Sequence, residues 1–201
     1  MLKTIISLVA LALICCGCSK NSGSVESASK TVQYPPGAAQ PGQNTAGELR
    51  YKVPEAWTVE KPASEMRVGQ YKLPRTEGDS EDATLVVYYF GQGQGGSAEA
   101  NIDRWINQVH QPDGSPSKEK AKIGTLTVNG LKITTVDVTG NYAGGMGPES
   151  APTNSKSIYR LRAAVIDTPK GSYFLKLTGP EKTISHWDQA YNDYLNSFEF
   201  K

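Results

Sequence analysis

The sequence predicts an α+β fold, a largely antiparallel sheet with helices packed on it. Three observations carry that expectation. Asn129-Gly130 stands between two runs of strand character, Lys122–Val128 and Leu131–Val138, the pattern of a two-residue β-hairpin. Pro169-Lys170-Gly171 marks a second tight turn, between Ser157–Ile166 and Ser172–Thr178. Two further segments, one opening at Ser97 and one spanning Glu181–Asn196, repeat apolar residues at helical spacing. Hairpins join antiparallel neighbours, so strands interrupted by two helices read as α+β and not as a βαβ series.

In chain order, Leu49–Val53 reads as a first strand, closed by Pro54, with Trp57 and Val59 in a turn and short strand. Met66–Leu73 alternates as a half-buried strand does, with Met66, Val68 and Gln70 against Arg67, Gly69 and Tyr71. The acidic loop Glu77–Asp82 leads into Ala83–Phe90, apolar or aromatic at every position from Leu85 onward. A run apolar on both faces is a central strand. Helices on both faces account for it; cover on one face is the alternative. Ser97 can cap a helix that carries Glu99 in its first turn and Ile102, Trp105, Ile106 and Val109 on one face. Gln111-Pro112-Asp113-Gly114 stops it. Gly140–Ser155, rich in Gly and Pro, reads as a long loop. The closing helix, Glu181–Asn196, places Ile184, Trp187, Tyr191, Tyr194 and Leu195 along one stripe, and Phe198 and Phe200 end the chain.

Ahead of this domain the chain has a different character. All three cysteines, Cys15, Cys16 and Cys18, follow an apolar run, Ile5–Ile14, that is preceded by a single charge at Lys3. This run of 10 residues is too short for a bilayer-crossing helix, which needs about 20, and matches the core of a secretory signal. The Gly17-Cys18 step resembles a bacterial lipobox, with Cys18 as the lipidated residue; Cys15 stands where Leu is usual, three positions before it. Taking Cys16 instead restores Leu13 at that position but puts Cys15 at the cleavage point. The expected organisation is therefore a signal peptide over 1–17, a lipid-anchored linker over 18–48 and one domain over 49–201. The linker is mainly Ser, Gly, Ala, Pro, Gln and Asn, unable to bury enough surface to offset its ordering entropy. Fully extended, about 30 residues at ~3.4 Å reach ~100 Å. Ser19, rather than Asp, resembles the signal for onward transport to an outer membrane. The expected location is thus the cell envelope, at the periplasmic face of the outer membrane, with the membrane as one partner through the N-terminal lipid.

Loss of 1–17 removes Lys3 alone and leaves 20 basic against 20 acidic residues. That balance gives no reason to expect nucleic acid as a partner. With Cys18 lipidated and the other two thiols removed, the domain has no staple and depends on its core.

Two end motifs carry a family resemblance. Tyr51-Lys52-Val53-Pro54-x-x-Trp57 at the start, and Tyr173–Pro180 followed by a helix and Ser197-Phe198 at the end, resemble PsbP-like domains. The resemblance implies an α/β/α sandwich and a binding or scaffolding role with a protein partner in the envelope. It supplies no site, because members of one fold serve different roles. A periplasmic small-ligand carrier is the alternative, and an enzyme comes third.

Several constellations are weighed against plainer readings. Gly91-Gln92-Gly93-Gln94-Gly95-Gly96 fits G-x-G-x-x-G between a strand and a helix, but no buried parallel strand ending in an acid follows it, so a flexible connection is the better reading. The carboxylates of Glu77–Asp82 lack calcium-loop spacing, with glycine second instead of sixth. His110 and His186 have no Cys or His at metal-ligand spacing, and no G-x-S-x-G elbow is present. No cofactor, metal or catalytic residue is expected. Arg160 and Arg162 fall on one face of their strand, opposite Tyr159, Leu161 and Ala163, where their forks could grip a carboxylate or phosphate. An exposed sheet face with ordinary neighbouring acids is the competing reading. Tyr142, in the Gly140–Ser155 loop, is a further candidate contact.

Overall fold

The computed structural model describes residues 49–143 and 158–201. Cys18, the linker and the larger part of the Gly140–Ser155 segment lie outside the described residues. Among the described residues, eight strands form one sheet: β2 (Thr58–Val59), β3 (Arg67–Leu73), β4 (Ala83–Tyr89), β5 (Val109–His110), β6 (Lys122–Val128), β7 (Leu131–Tyr142), β8 (Tyr159–Thr168) and β9 (Gly171–Pro180). Their order is β2-β3-β4-β9-β8-β7-β5, with β6 beside β5 on the same edge of β7, and every pairing is antiparallel. β1 (Leu49–Arg50) and β10 (Glu199–Phe200) form a separate two-stranded pair. The helices are α1 (Ala98–Ile106), the short α2 (Ser117–Lys120), α3 (Glu181–His186) and α4 (Asp188–Asn196). This is the predicted α+β architecture, and helices cover both faces of the sheet.

Strand alternation explains the two layers. On one face Tyr71, Leu73, Leu85, Val87, Ala164, Ile166, Leu175 and Leu177 pack under α3 and α4, with Ile184, Tyr191, Tyr194 and Leu195 coming down from the helices. Trp57, Tyr51 and Phe198 close this core from the chain ends. On the other face Val136, Val138, Leu161, Ala163, Val165 and Phe174 meet Ile102, Trp105 and Ile106 of α1. Fully burying each large apolar side chain contributes roughly 1.5–3 kcal/mol, so a strand buried on both sides is the best-anchored kind. β4 and β9 are such strands: β4 sends Leu85 and Val87 to the first core and partly buried Tyr88 to the second.

Local chemistry fixes the helix positions. Ser97 Oγ accepts the Ala100 amide at 3.1 Å, the expected N-cap of α1. Asp79, from the acidic loop, accepts the Thr183 amide at 2.9 Å and its hydroxyl at 2.6 Å, and so caps α3 across 104 residues of chain. In the glycine run before α1, Gly95 is the closely packed position, while Gln92–Gln94 are exposed. Gly95 holds φ +88°, and a Cβ there would lie 2.5 Å from Phe174 Cε2. Its carbonyl accepts from the buried Asn101 amide at 2.8 Å.

Besides the ends of β8, which runs to Thr168 and not Ile166, and of β9, which spans Gly171–Pro180 and not Ser172–Thr178, four boundaries differ from the expectations. α1 ends at Ile106; Val109 is buried as predicted but sits in β5, paired with Tyr142 at the end of β7. β7 runs through Tyr142 and not Val138, because β8 and β5 hold its second half in register, so Gly140–Tyr142 is strand. The first strand is two residues long, not five. The last helix breaks at Trp187 (φ −91°, ψ 7°), whose indole donates to the Pro74 carbonyl at 2.9 Å.

Candidate functional site

Arg160 and Arg162 project from β8 toward α4, opposite Thr139 and Asp137 of β7. Arg160 grips Asp137 with both arms of its fork, Nε to Oδ1 at 2.8 Å and Nη2 to Oδ2 at 2.6 Å. Its third nitrogen reaches Asp188 at 2.9 Å and Ser185 at 3.0 Å. Arg162 donates to Asp188 at 2.6 Å and to Asn192 at 2.8 Å, and stacks 4.5 Å above the Tyr191 ring. The hydrogen bonds to Asp137 hold Arg160 above its already high range, with burial opposing. Burial pushes the Tyr191 phenol up as well. The forks that could take an external anion are thus engaged by this chain's own acids, and they fasten α4 to the sheet. Beside them a cavity of about 440 Å³ opens between α4 and strands β6 and β7, lined by Leu126, Asp137, Arg162, Gln189, Tyr191 and Asn192.

Tyr142 lies on the opposite face, so the sheet separates the two sets of candidate residues. Its ring stacks on Tyr159 at 5.9 Å and packs against the α1 core. Lys176 Nζ stands 5.3 Å from the Tyr142 ring and donates to Gln108 Oε1 at 2.6 Å; the Tyr142 hydroxyl donates to the same oxygen at 3.5 Å. Arg67 lies 5.8 Å over Tyr88 and donates to Gln70 at 3.0 Å, and Arg104 donates to Asn101. Burial, followed by the charges of Arg104 and Arg67, pushes Lys176 down to about 8. Burial, followed by Tyr88, pushes Tyr142 up to about 12. Lys176 was not among the sequence candidates. Its signal is a lysine set inside Phe174-Leu175-Lys176-Leu177, where the neighbouring positions are core.

This lysine has a pH signature. The native group loses its proton near pH 8, whereas the unfolded chain keeps it to about pH 10.5. Between those values the unfolded state binds more protons, so stability rises with pH; below pH 8 the penalty for burying the charge is fully present. Denaturant midpoints measured from about pH 8 to 10 should therefore rise more steeply in the native protein than in Lys176→Met. Equal slopes would contradict the buried charge.

A third feature lies at the sheet margin. Among the described residues β6 pairs only with β7, and its residues from Lys122 to Thr125 are exposed, Ile123 to 52%. Asn129 (φ 48°) and Gly130 (φ 82°) form the primed turn that makes Val128 and Leu131 a hydrogen-bonded pair. Alternation then turns the backbone groups of Lys122, Gly124, Leu126 and Val128 toward β7. Those of Ile123, Thr125 and Thr127 face outward.

No family model matches the chain, and no curated protein matches it. Several solved structures are similar to it. LpqN, involved in cell envelope biogenesis of Mycobacterium tuberculosis, is 11% identical with a TM-score of 0.49, covering 76% of this chain and 83% of its own. PA94 of Pseudomonas aeruginosa, a protein of unknown function, is 13% identical with a TM-score of 0.45, covering 72% and 97%. The cyanobacterial PsbP of Synechocystis sp. PCC 6803 is 12% identical with a TM-score of 0.47, covering 89% of this chain and 100% of its own.

Proposed function

We propose that this chain is a lipid-anchored envelope protein whose domain is a binding module, not an enzyme, and that it takes up an extended segment of a partner protein along the outer edge of β6. The observation that carries this reading is the seven-residue edge strand, with outward backbone groups at Ile123, Thr125 and Thr127 and an exposed Ile123. An added strand pairs those groups and covers the isoleucine, the mode used wherever a peptide extends a sheet. Edge strands are ordinarily blunted by charge, proline or a covering element; β6 carries one lysine, at its first position. The linker over 18–48 lets such a domain search for its partner at a distance from the membrane, and acylation at Cys18 holds it there.

Photo-crosslinking from position 123 in intact cells tests the reading. A discrete adduct with another protein is expected, and Thr125→Pro should abolish it. Thr125 points its N–H outward, so proline removes no bond to β7 and is tolerated as prolines are on edge strands. An adduct unaffected by the proline would contradict the edge as the docking site, and an adduct only between copies of this chain would replace the partner with a second protomer. In Cys18→Ser the domain should leave the membrane fraction, and its intact mass should lack acyl chains.

The cavity beside Arg162 favours a second reading, a small-ligand carrier. The charge of Arg162 is already met there by Asp188, which weakens the cavity as a site for an anion.

A further inference from the structure

On the α1 face of the sheet, three cations from three elements gather around one stretch of β9. Lys176 rises from the middle of that strand, with Val86 of β4 and Ala163 of β8 as its partners in register. Arg67 comes from β3, opposite Tyr88 in register and so one same-face position along β4 from Val86, and Arg104 comes from the last turn of α1, four residues before the Gln108 that holds Lys176; the charges of both act on Lys176. Each of the three donates to a neutral amide oxygen, Gln70 for Arg67, Asn101 for Arg104 and Gln108 for Lys176. Among the described residues none of them has a carboxylate partner. The two arginines on the other face differ in this respect, since Asp137 and Asp188 neutralise them.

Neutral acceptors satisfy hydrogen bonds without balancing charge, so the two guanidinium charges repel the half-buried ammonium of Lys176. Packing alone does not call for this arrangement: an unbranched apolar side chain at position 176 would fill the space beside Tyr142 without a desolvation cost. A ligand with two negative charges would remove the repulsion and supply the missing acceptors. Val86 forms an apolar floor, and Tyr88 and Tyr142 stand beside Arg67 and Lys176 as aromatic walls.

We infer that Lys176, Arg67 and Arg104 form a binding site for a small soluble ligand bearing a phosphate or a pair of carboxylates. It lies on the α1 face, and it goes beyond the protein-binding role proposed for the edge of β6.

Calorimetric titration of the full-length lipoprotein in nonionic detergent tests it, with inorganic phosphate in one arm and succinate in the other, at ionic strength fixed by sodium chloride. Saturable binding of at least one anion, at about 1 mM or tighter, is expected near pH 7. Lys176→Met and Arg104→Gln should each weaken it about tenfold or more, the loss of one charge-assisted contact. Lys182→Gln, on the opposite face in α3, should leave it unchanged. Affinity should fall as the pH is raised past the point where Lys176 sheds its proton. Arg104 is exposed, so its variant remains informative if Lys176→Met perturbs the fold. No saturable binding in either arm, or equal affinity in the native protein and both site variants, would overturn the assignment.

Discussion

Alanine at position 194 is expected to cost about 3–5 kcal/mol of folding stability, the range for removing a large aromatic side chain from a packed core. Tyr194 is 1% exposed, and its ring lies against Tyr51 (5.1 Å), Phe198 (5.0 Å), Trp57 (5.3 Å), Tyr71 (6.3 Å) and Tyr191 (6.5 Å). Those neighbours belong to the opening segment, the sheet, α4 and the chain end. One side chain therefore ties the termini to the sheet. Set against a total stability of about 5–15 kcal/mol, the loss is large enough to leave the domain marginal. Urea unfolding followed by tryptophan fluorescence measures it, since Trp57 is in the same cluster. A loss under about 1 kcal/mol would mean that the cluster collapses around the missing ring or contributes little.

The second large effect is expected from the arginine–aspartate network. Asp137→Ala leaves Arg160 and Arg162, 15% and 14% exposed, sharing Asp188 alone. A loss of about 2–3 kcal/mol is expected, below the 3–5 kcal/mol of a fully buried pair because water reaches part of each carboxylate. Combining Asp137→Ala with Arg160→Leu should cost less than the sum of the two changes, with a coupling of about 1–3 kcal/mol. Strict additivity would show that the bidentate contact contributes nothing beyond its neighbours. The network also sets where α4 lies over β6 and β7, so the same variants should alter the cavity beside Arg162.

How much of this could be read from the sequence depended on whether the determinant was local. The Asn129-Gly130 hairpin, the Ser97 cap and the doubly apolar β4 are written in adjacent residues, and each stands where expected. The two-residue pair of β1 and β10 joins the ends of the domain, and no local pattern specifies it. The break at Trp187 has the same origin: the 3.6-residue stripe runs straight through it, while the carbonyl that holds the indole belongs to Pro74. Val109 belonged to the right core but the wrong element, because a buried residue just past a helix fits either period.

For the candidate residues, the shared face of Arg160 and Arg162 was legible as strand alternation. Their partners were not, since Asp137 arrives through strand pairing and Asp188 through a helix 26 residues beyond Arg162. Lys176 had a visible cue, a charge inside an apolar strand, but its companions Arg67 and Arg104 meet it only through the sheet order β3-β4-β9 and the placement of α1.

Hydrogen exchange at the backbone amides of β6 tests the central claim most directly. In the purified protein the outward amides of Ile123, Thr125 and Thr127 should exchange rapidly, while those of Gly124 and Leu126, bonded to β7, are protected. In the protein recovered with its crosslinked partner, the account predicts that Ile123, Thr125 and Thr127 become protected too. Continued rapid exchange at all three, with new protection confined to α1 or α4, would contradict strand addition at β6.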